Sequence, residues 1–254
     1  MQFGVCTGIE NADIAQAAGF AFIEPTVRSL HSGKDFVVIQ ASHAAAGLPT
    51  PTFNVFVPGD LKITGLTVDL AKLQAYVAES LRRVKSVGGS LVVFGSGGAR
   101  NIPDGFSRDA AWQQLIDFLQ MVADECDKSG VTIAIEPLNR KESNVINSVA
   151  EGVALAKAVD RSAIRVLADL YHMEEDGEPT DTVVENAVWL THVHVADSGR
   201  LSPGTGAYPY AAFFGYLKSM GYSGHIAVEC KWQDFEEEAI PAVAYLRKMW
   251  DEAG

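Results

Sequence analysis

The stretch VTIAIEPLNRKE (residues 131–142) contains the pattern on which the fold prediction rests. Its first five residues are apolar or β-branched, and the run ends on Glu136, a proline and a polar turn. A run that is apolar on both faces is typical of a parallel strand with helices packed on it. A carboxylate at the carboxyl end of such a strand lies where parallel sheets bind their ligands. One such glutamate could also simply end an ordinary strand. The prediction of a functional site therefore depends on whether the same pattern, a buried strand that ends on a polar ligand, recurs elsewhere in the chain.

Short strand-like runs alternate with helical patterns along the whole chain. The predicted strands are 3–6, 22–25, 53–56, 91–94, 131–135, 165–169, 191–195 and 225–229. Between the sixth and seventh strands, the pattern predicts a loop and then a helix at about residues 181–188. Eight such units in 254 residues predict a (β/α)8 TIM barrel, an α/β fold, as a single domain over residues 1–254. An open doubly wound sheet is the alternative, but no Gly-x-Gly-x-x-Gly follows the first strand.

The composition disfavours several classes of protein. Hydrophobic residues make up 48% of the chain and charged residues 20%, as in ordinary globular proteins. A net charge of −12 disfavours nucleic acid and anionic lipid as partners. No apolar run is long enough to cross a membrane, and no signal-peptide pattern is seen. Cys6, Cys126 and Cys230 lack metal-ligand spacing, and we expect them to be reduced thiols of a cytoplasmic protein.

Four consecutive predicted strands carry a potential metal ligand at their carboxyl ends. These are Glu136, Asp169, His194 and Glu229, each about one βα unit after the last. In a barrel these ends converge, where three carboxylates alone would repel one another. A divalent cation removes that conflict, and three oxygens with one nitrogen suit Mn²⁺, Mg²⁺, Co²⁺ or Zn²⁺. The sequence therefore predicts one divalent metal ion, with Mn²⁺ expected first.

Two histidines on the seventh strand compete for the role of nitrogen ligand. His192 and His194 are two residues apart, so both side chains share one face of the strand. Only the residue nearer the carboxyl end can reach a metal at the mouth of the barrel. We therefore assign His194 as the ligand and expect His192 to be a deeper histidine that is hydrogen-bonded to a neighbour.

The motifs of the second half of the chain resemble those of one group of enzymes. They are EPLNRKE (136–142), DLYHM (169–173), HVHVADSGR (192–200) with PGTG (203–206), and VE (228–229). In order and spacing they are similar to the motifs of ketose 3-epimerases, namely the tagatose, psicose and ribulose 3-epimerases. Those enzymes belong to the xylose isomerase-like TIM barrel superfamily. The first half of this chain matches them only as a barrel.

The resemblance implies a role for each matched residue. Glu136, Asp169, His194 and Glu229 would hold the metal, and Glu136 and Glu229 would also be the acid/base pair on the two faces of the sugar. Metal on the carbonyl and hydroxyl oxygens would stabilise an enediolate, so that one glutamate could remove the C3 proton and the other return one from the opposite face. Glu142, His172 and Arg200, expected in loops, would hold substrate oxygens. The expected partner is a small sugar, and a homodimer or homotetramer is possible by analogy.

Other functions of the superfamily remain open at this point. A 1,2-aldose/ketose or hydroxypyruvate-type isomerase, or an inosose-type dehydratase, would use the same metal and carboxylates. A sugar-binding barrel without catalysis would not need two glutamates. An endonuclease IV-type enzyme needs more histidine ligands than the six histidines of this acidic chain offer. The chain is shorter than the ketose 3-epimerases in the loops after its early strands, so the resemblance does not carry over a particular sugar.

Two further features have alternative interpretations. The loop Gly95–Gly98 with Arg100 could cradle a phosphate or could be a tight turn. Glu24, at the end of the second strand, could reach the pocket or pair with a neighbouring cation.

Overall fold

The computed structural model describes residues 1–254 and contains one sheet of eight parallel strands. The strands are β1 (Phe3–Cys6), β2 (Phe22–Glu24), β3 (Thr52–Phe53), β4 (Leu91–Phe94), β5 (Thr132–Ile135), β6 (Ile164–Asp169), β7 (Leu190–Val195) and β8 (His225–Val228). Their order in the sheet is β2-β1-β8-β7-β6-β5-β4-β3. Just beyond β2 and β3, Thr26 and Asn54 form a parallel bridge that brings the two edges together. The predicted (β/α)8 barrel is confirmed, with a nearly closed sheet.

Helices surround the barrel. They are α1 (Ala12–Ala18), α2 (Phe36–Ala45), α3 (Leu70–Ser86), α4 (Gly97–Arg100), α5 (Arg108–Ser129), α6 (Val149–Val159), α7 (Leu170–Asp176), α8 (Thr182–Glu185), α9 (Tyr210–Ser219) and α10 (Phe235–Glu252). The sequence fixes several helix ends through capping groups: Ser107 accepts a hydrogen bond from the backbone N–H of Ala110, and Gly130 ends α5 in a left-handed conformation (φ 70°). No helix combines the length and apolar character that are needed to cross a bilayer.

Strand residues pack alternately on the two faces of the barrel wall. Leu91, Val93, Ala134 and Leu167 form a small apolar cluster of their own. Their strand neighbours, such as Val92 and Ile133, belong to the large core that includes the helices. This period of two is the one expected when alternate strand residues fill the barrel interior in layers.

Two predicted elements differ from the structure. The third strand ends at Phe53 instead of residue 56, because Val55 adopts a positive φ of 49°, which interrupts the extended backbone. The prediction also placed His172 in a loop, but helix α7 begins directly after β6 and His172 lies in its first turn. Asp169 caps this helix by accepting the backbone N–H groups of Tyr171 and His172. Asp169 is both the last residue of the strand and the cap of the helix, so no loop separates the two elements and the sequence pattern did not indicate a helix there.

Candidate active site

Three of the four predicted strand-end ligands meet at the carboxyl end of the barrel. The side chains of Glu136, Asp169, His172 and Glu229, here called the mouth cluster, each place a potential ligand atom within 4.8 Å of the others. Glu136, Asp169 and His172 are buried, and the side chain of Glu229 is 18% exposed. Three carboxylates so close together repel one another when all are ionised. A cation in their midst would relieve that repulsion.

The fourth predicted ligand, His194, lies against the same cluster. Its Nδ1 is 3.1 Å from Oε1 of Glu136 and 3.5 Å from Oε2 of Glu229. Its other ring nitrogen, Nε2, is 2.8 Å from Oε1 of Glu24. The structure thus brings all four residues predicted to bind metal to one end of the barrel.

Two atoms of the mouth cluster are buried without a hydrogen-bond partner: Oδ2 of Asp169 and Nε2 of His172, which lie 3.8 Å apart. The other Asp169 oxygen, Oδ1, is used in capping α7 at 2.7 Å from the N–H of Tyr171. A buried polar atom without a partner costs free energy, so such atoms commonly mark a place for an ion or ligand. The residues present therefore fit a bound cation with a polar substrate beside it.

The hydrogen bonds of His172 indicate which atom it offers to a ligand. Its Nδ1 lies 3.1 Å from the backbone N–H of Asn139 and 2.9 Å from the side-chain Nδ2 of the same residue. Because Nδ1 accepts from these donors, the hydrogen of the neutral ring is on Nε2. A nitrogen that carries hydrogen has no lone pair for a metal. His172 therefore suits donation to a substrate oxygen.

Glycine is required next to Glu136. A Cβ atom placed on Gly95 would lie 2.1 Å from Oε2 of Glu136, so any side chain there would displace the carboxylate. The nearby Arg100 is fully buried, and its guanidinium donates to the backbone carbonyls of Phe94 (2.9 Å) and Glu136 (2.8 Å). Arg100 thus ties together the ends of β4 and β5 and is not free to bind a phosphate.

Arg200 connects two of the predicted active-site carboxylates. Its Nη1 is 3.0 Å from both oxygens of Glu142, and its Nη2 is 2.7 Å from Oε2 of Glu229. The guanidinium also lies over the ring of Tyr171, 5.2 Å from the centroid. Of the predicted substrate-binding residues, His172 is therefore part of the mouth cluster, and Glu142 and Arg200 lie at its rim.

The surroundings shift the pKa values of the two glutamates in opposite directions. Burial raises the pKa of Glu136, and the charge of Glu229 raises it further. Burial also opposes ionisation of Glu229, but the hydrogen bond and charge of His194, together with the charge of Arg200, lower its pKa to about 2. Two carboxyl groups with unequal proton affinities are the arrangement that acid/base chemistry uses.

A polar cavity opens beside Glu229. Its volume is about 440 Å³, and its wall includes Thr7, Thr26, Ser29 and Asn54. Asn54 donates a long hydrogen bond of 3.4 Å to Oε1 of Glu229. The sequence prediction missed Asn54 because it placed this residue inside the third strand. It missed Asn139 because nothing in the spacing of the motif shows that this side chain turns toward His172.

A family model described as xylose isomerase-like TIM barrel matches residues 12–249. The chain belongs to this family. Among curated proteins, it is 30% identical over 119 residues to D-psicose 3-epimerase of Ruminiclostridium cellulolyticum, covering 46% of this chain and 41% of that protein. It is 29% identical over 144 residues to 3-dehydro-D-guloside 4-epimerase of Escherichia coli, covering 56% and 55%. The matched stretches thus span about half the length of these relatives.

A solved structure has the same fold as this xylose isomerase-like chain over nearly its whole length. D-psicose 3-epimerase with D-tagatose, from Clostridium cellulolyticum, superposes with a TM-score of 0.87 at 20% sequence identity. The superposition covers 98% of this chain and 99% of that one. The match of the family model over residues 12–249 confirms the xylose isomerase-like TIM barrel assignment that was made from the motifs.

Proposed function

We propose that this protein is an isomerase, a metal-dependent ketose epimerase that inverts the carbon next to the ketone, at C3. The observation that carries the proposal is the mouth cluster, where Glu136 and Glu229 both approach Nδ1 of His194 while Oδ2 of Asp169 has no partner. A proton next to a ketone is too weakly acidic for a carboxylate to remove unaided. The names of the two curated relatives, both epimerases, support the same chemistry.

The residues that would hold the metal are Glu136, Asp169, His194 and Glu229. His194 is preferred to His172 as the nitrogen ligand because Nδ1 of His172 accepts hydrogen bonds from Asn139. When bound there, a divalent cation would polarise the substrate carbonyl and stabilise the negative charge that develops on its oxygen. Mn²⁺ is the ion that we propose, although carboxylates and one imidazole also suit Mg²⁺, Co²⁺ and Zn²⁺.

The remaining steps belong to side chains of the protein. One of Glu136 and Glu229 would remove the C3 proton, and the other would deliver a proton to the opposite face of the same carbon. Nε2–H of His172 would donate to a substrate oxygen, and Arg200 and Glu142 would orient the sugar hydroxyls. The side chain of Glu229 is 18% exposed, so protons held by this pair would exchange with solvent between turnovers.

Proton exchange, followed by NMR in D₂O, tests the function. Tagatose, psicose, ribulose and xylulose, each free and phosphorylated, are incubated with the protein and Mn²⁺, before and after addition of EDTA. We expect deuterium at C3 together with the new epimer, and loss of both in EDTA. Exchange at C4 would indicate a 4-epimerase, and exchange at C1 with an aldose product a 1,2-isomerase. Bound metal without exchange in any of these sugars would favour an inosose-type dehydratase or a sugar-binding barrel.

The remaining properties are proposed on simpler grounds. The substrate is proposed to be a sugar and not a nucleic acid, in keeping with the net charge of −12. All three cysteines are unpaired, which supports a location in the cytoplasm. A homodimer or homotetramer stays a prediction by analogy, to be tested by light scattering. The single domain over residues 1–254 is likewise proposed.

A further inference from the structure

We propose that Glu24 is a positioning residue, which fixes the ring of His194 so that Nδ1 faces the mouth cluster. This inference rests on the proposed function, because it assigns a role toward the same metal ion. Glu24 lies at the end of β2, on the other side of His194 from Glu136 and Glu229. Glu24 is not among the residues to which the resemblance in the motifs assigns a role.

Glu24 is a fully buried carboxylate with every oxygen in use. Its Oε1 is 2.8 Å from Nε2 of His194. Its Oε2 is 2.7 Å from Nε2 of His192 and 2.6 Å from the hydroxyl of Thr52, which donates to it. We call Glu24, Thr52 and His192 the inner cluster. His194 contacts both this cluster and the mouth cluster.

The hydrogen-bond chemistry of Glu24 fixes the hydrogen positions on both rings. An ionised carboxylate can only accept hydrogen bonds, so His192 and His194 must each donate through Nε2–H. As a neutral metal ligand His194 would carry one hydrogen, and with that hydrogen held on Nε2 by Glu24 the lone pair would be on Nδ1. That atom is the one 3.1 Å from Glu136 and 3.5 Å from Glu229. Glu24 therefore selects the tautomer and the ring orientation that a metal ligand needs.

Burial makes this arrangement specific. The side chains of Glu24, His192 and His194 are all fully buried, so the loss of one of these hydrogen bonds would leave a polar group unpaired in the protein interior. His192 competes with His194 for the same carboxylate, and the two rings pack edge to face with centroids 4.9 Å apart. Rotation of the His194 ring would break its bond to Glu24 and disturb this packing. Glu24 touches no reacting atom and acts only through His194.

The test measures Mn²⁺ affinity instead of turnover. Binding of Mn²⁺ to the full-length apo protein is followed by the loss of the free-ion EPR signal, for the wild type, Glu24→Gln and Thr52→Val. In Glu24→Gln an NH₂ donor replaces one of the two oxygens that accept from the rings, so one ring N–H loses its acceptor, and we expect the Mn²⁺ affinity to fall about 10- to 100-fold. Thr52→Val keeps the carboxylate but removes the hydroxyl that orients it, and we expect a smaller loss of about threefold or more.

Glu10→Gln is the matched control, because Glu10 is an exposed carboxylate of the neighbouring cavity without a bond to either histidine. We expect its Mn²⁺ affinity to stay within twofold of the wild type. Comparison with Glu24→Gln then separates the effect of losing a negative charge from the effect of losing the contact that positions His194. Thermal unfolding of the apo proteins reports the structural cost, and the additional rise in Tm caused by Mn²⁺ should shrink only in the inner-cluster variants.

The proposal is overturned if folded Glu24→Gln binds Mn²⁺ like the wild type, or if Glu10→Gln loses as much affinity. If Glu24→Gln does not fold, the proposal is overturned when Thr52→Val binds Mn²⁺ with wild-type affinity. A wild-type protein that binds no Mn²⁺ overturns both this inference and the proposed function. Tight Mn²⁺ binding without sugar exchange overturns only the proposed activity and leaves the comparison of the variants valid.

Discussion

The inner cluster and the mouth cluster both combine acidic and imidazole side chains. They differ in which of their buried polar atoms have hydrogen-bond partners within the protein. In the inner cluster both oxygens of Glu24 are bonded within the protein, and Nδ1 of His192 is the buried side-chain atom without a partner. In the mouth cluster, Oδ2 of Asp169 and Nε2 of His172 are buried with no partner. Acidic and imidazole groups in a barrel interior are therefore not by themselves a sign of catalysis. Of the two clusters, only the mouth cluster leaves a carboxylate oxygen unpaired, and a carboxylate oxygen is the kind of atom that binds a divalent cation.

A second difference lies in the way the carboxylates are surrounded. Glu24 faces two histidines, which lower its pKa although burial alone would raise it. Glu136 faces another carboxylate as well as His194, and its pKa is raised. The carboxylate of Glu24 is thus satisfied by donors of the protein, whereas the three carboxylates of the mouth cluster leave an excess of negative charge that a cation would balance. The variants below probe this difference.

Removing one carboxylate of the mouth cluster should have the largest effect. Glu136→Gln keeps the size of the side chain but removes both a base and a proposed metal ligand. We expect the rate of C3 deuterium exchange to fall on the order of 10³-fold or more. Exchange is measured by NMR at saturating Mn²⁺, with Glu185→Gln on the exposed surface of α8 as the control. Activity close to that of the wild type would remove Glu136 from the catalytic pair.

Displacing the same carboxylate without changing its chemistry should have a smaller effect. In Gly95→Ala the new Cβ would collide with Oε2 of Glu136, and a shift of about 1 Å at a reacting group can cost about 100-fold in rate. We expect a 10- to 100-fold loss of exchange. Gly215→Ala in α9 is the control, because a Cβ there meets no atom within 4 Å. Equal activities of the two variants would show that the position of Glu136 is not critical.

Weakening the ion pairs at the rim of the mouth cluster should change substrate binding. Lysine at position 200 cannot bridge Glu142 and Glu229 as the planar guanidinium does. We expect Arg200→Lys to raise KM about tenfold, with a smaller effect on kcat. Arg140→Lys, at an exposed pair with Asp176, is the control and should leave both constants unchanged. A decrease in kcat alone would place Arg200 in the chemical step.

The smallest effect is expected from a carboxyl group outside both clusters. Burial raises the pKa of Glu178 to about 7, although the backbone N–H of Val149 donates to it. A carboxyl group whose folded-state pKa is raised binds its proton more tightly in the folded protein, so its contribution to stability is lost as the pH rises from about 4.5 through 7. Glu178→Gln should flatten this part of the curve of unfolding free energy against pH. The unfolding free energies are measured with urea at each pH. Curves for the wild type and the variant that stay parallel from pH 4.5 to 7 would contradict the raised pKa of Glu178.

The sequence predicted the barrel and the ends of its strands well, because both depend on local patterns. Apolar runs that end on Glu136, Asp169 and Glu229 define the strands and their functional edge together. The residues that orient the imidazoles were harder to predict. Asn139 acts on His172 and Glu24 on His194 across 33 and 170 positions of the sequence, so no spacing within a motif shows the contact.

Two errors have local physical causes. Helix α7 was missed because Asp169 serves both as the last residue of β6 and as the cap of the helix. The predicted third strand extends beyond the observed end at Phe53. Valine favours strands, but Val55 adopts a positive φ that interrupts the extended backbone. Placement of Asn54 beside Glu229 depends on that early end of the strand.

The most direct test of the contrast between the two clusters is an anomalous difference map from a crystal grown with Mn²⁺. We predict one peak in the mouth cluster, within bonding distance of Glu136, Asp169 and Glu229 and of Nδ1 of His194, with His172 left free to face the substrate. A peak bonded to Glu24 and His192 would contradict the account. So would a peak whose nitrogen ligand is His172, because the tautomers inferred for both rings would then be wrong.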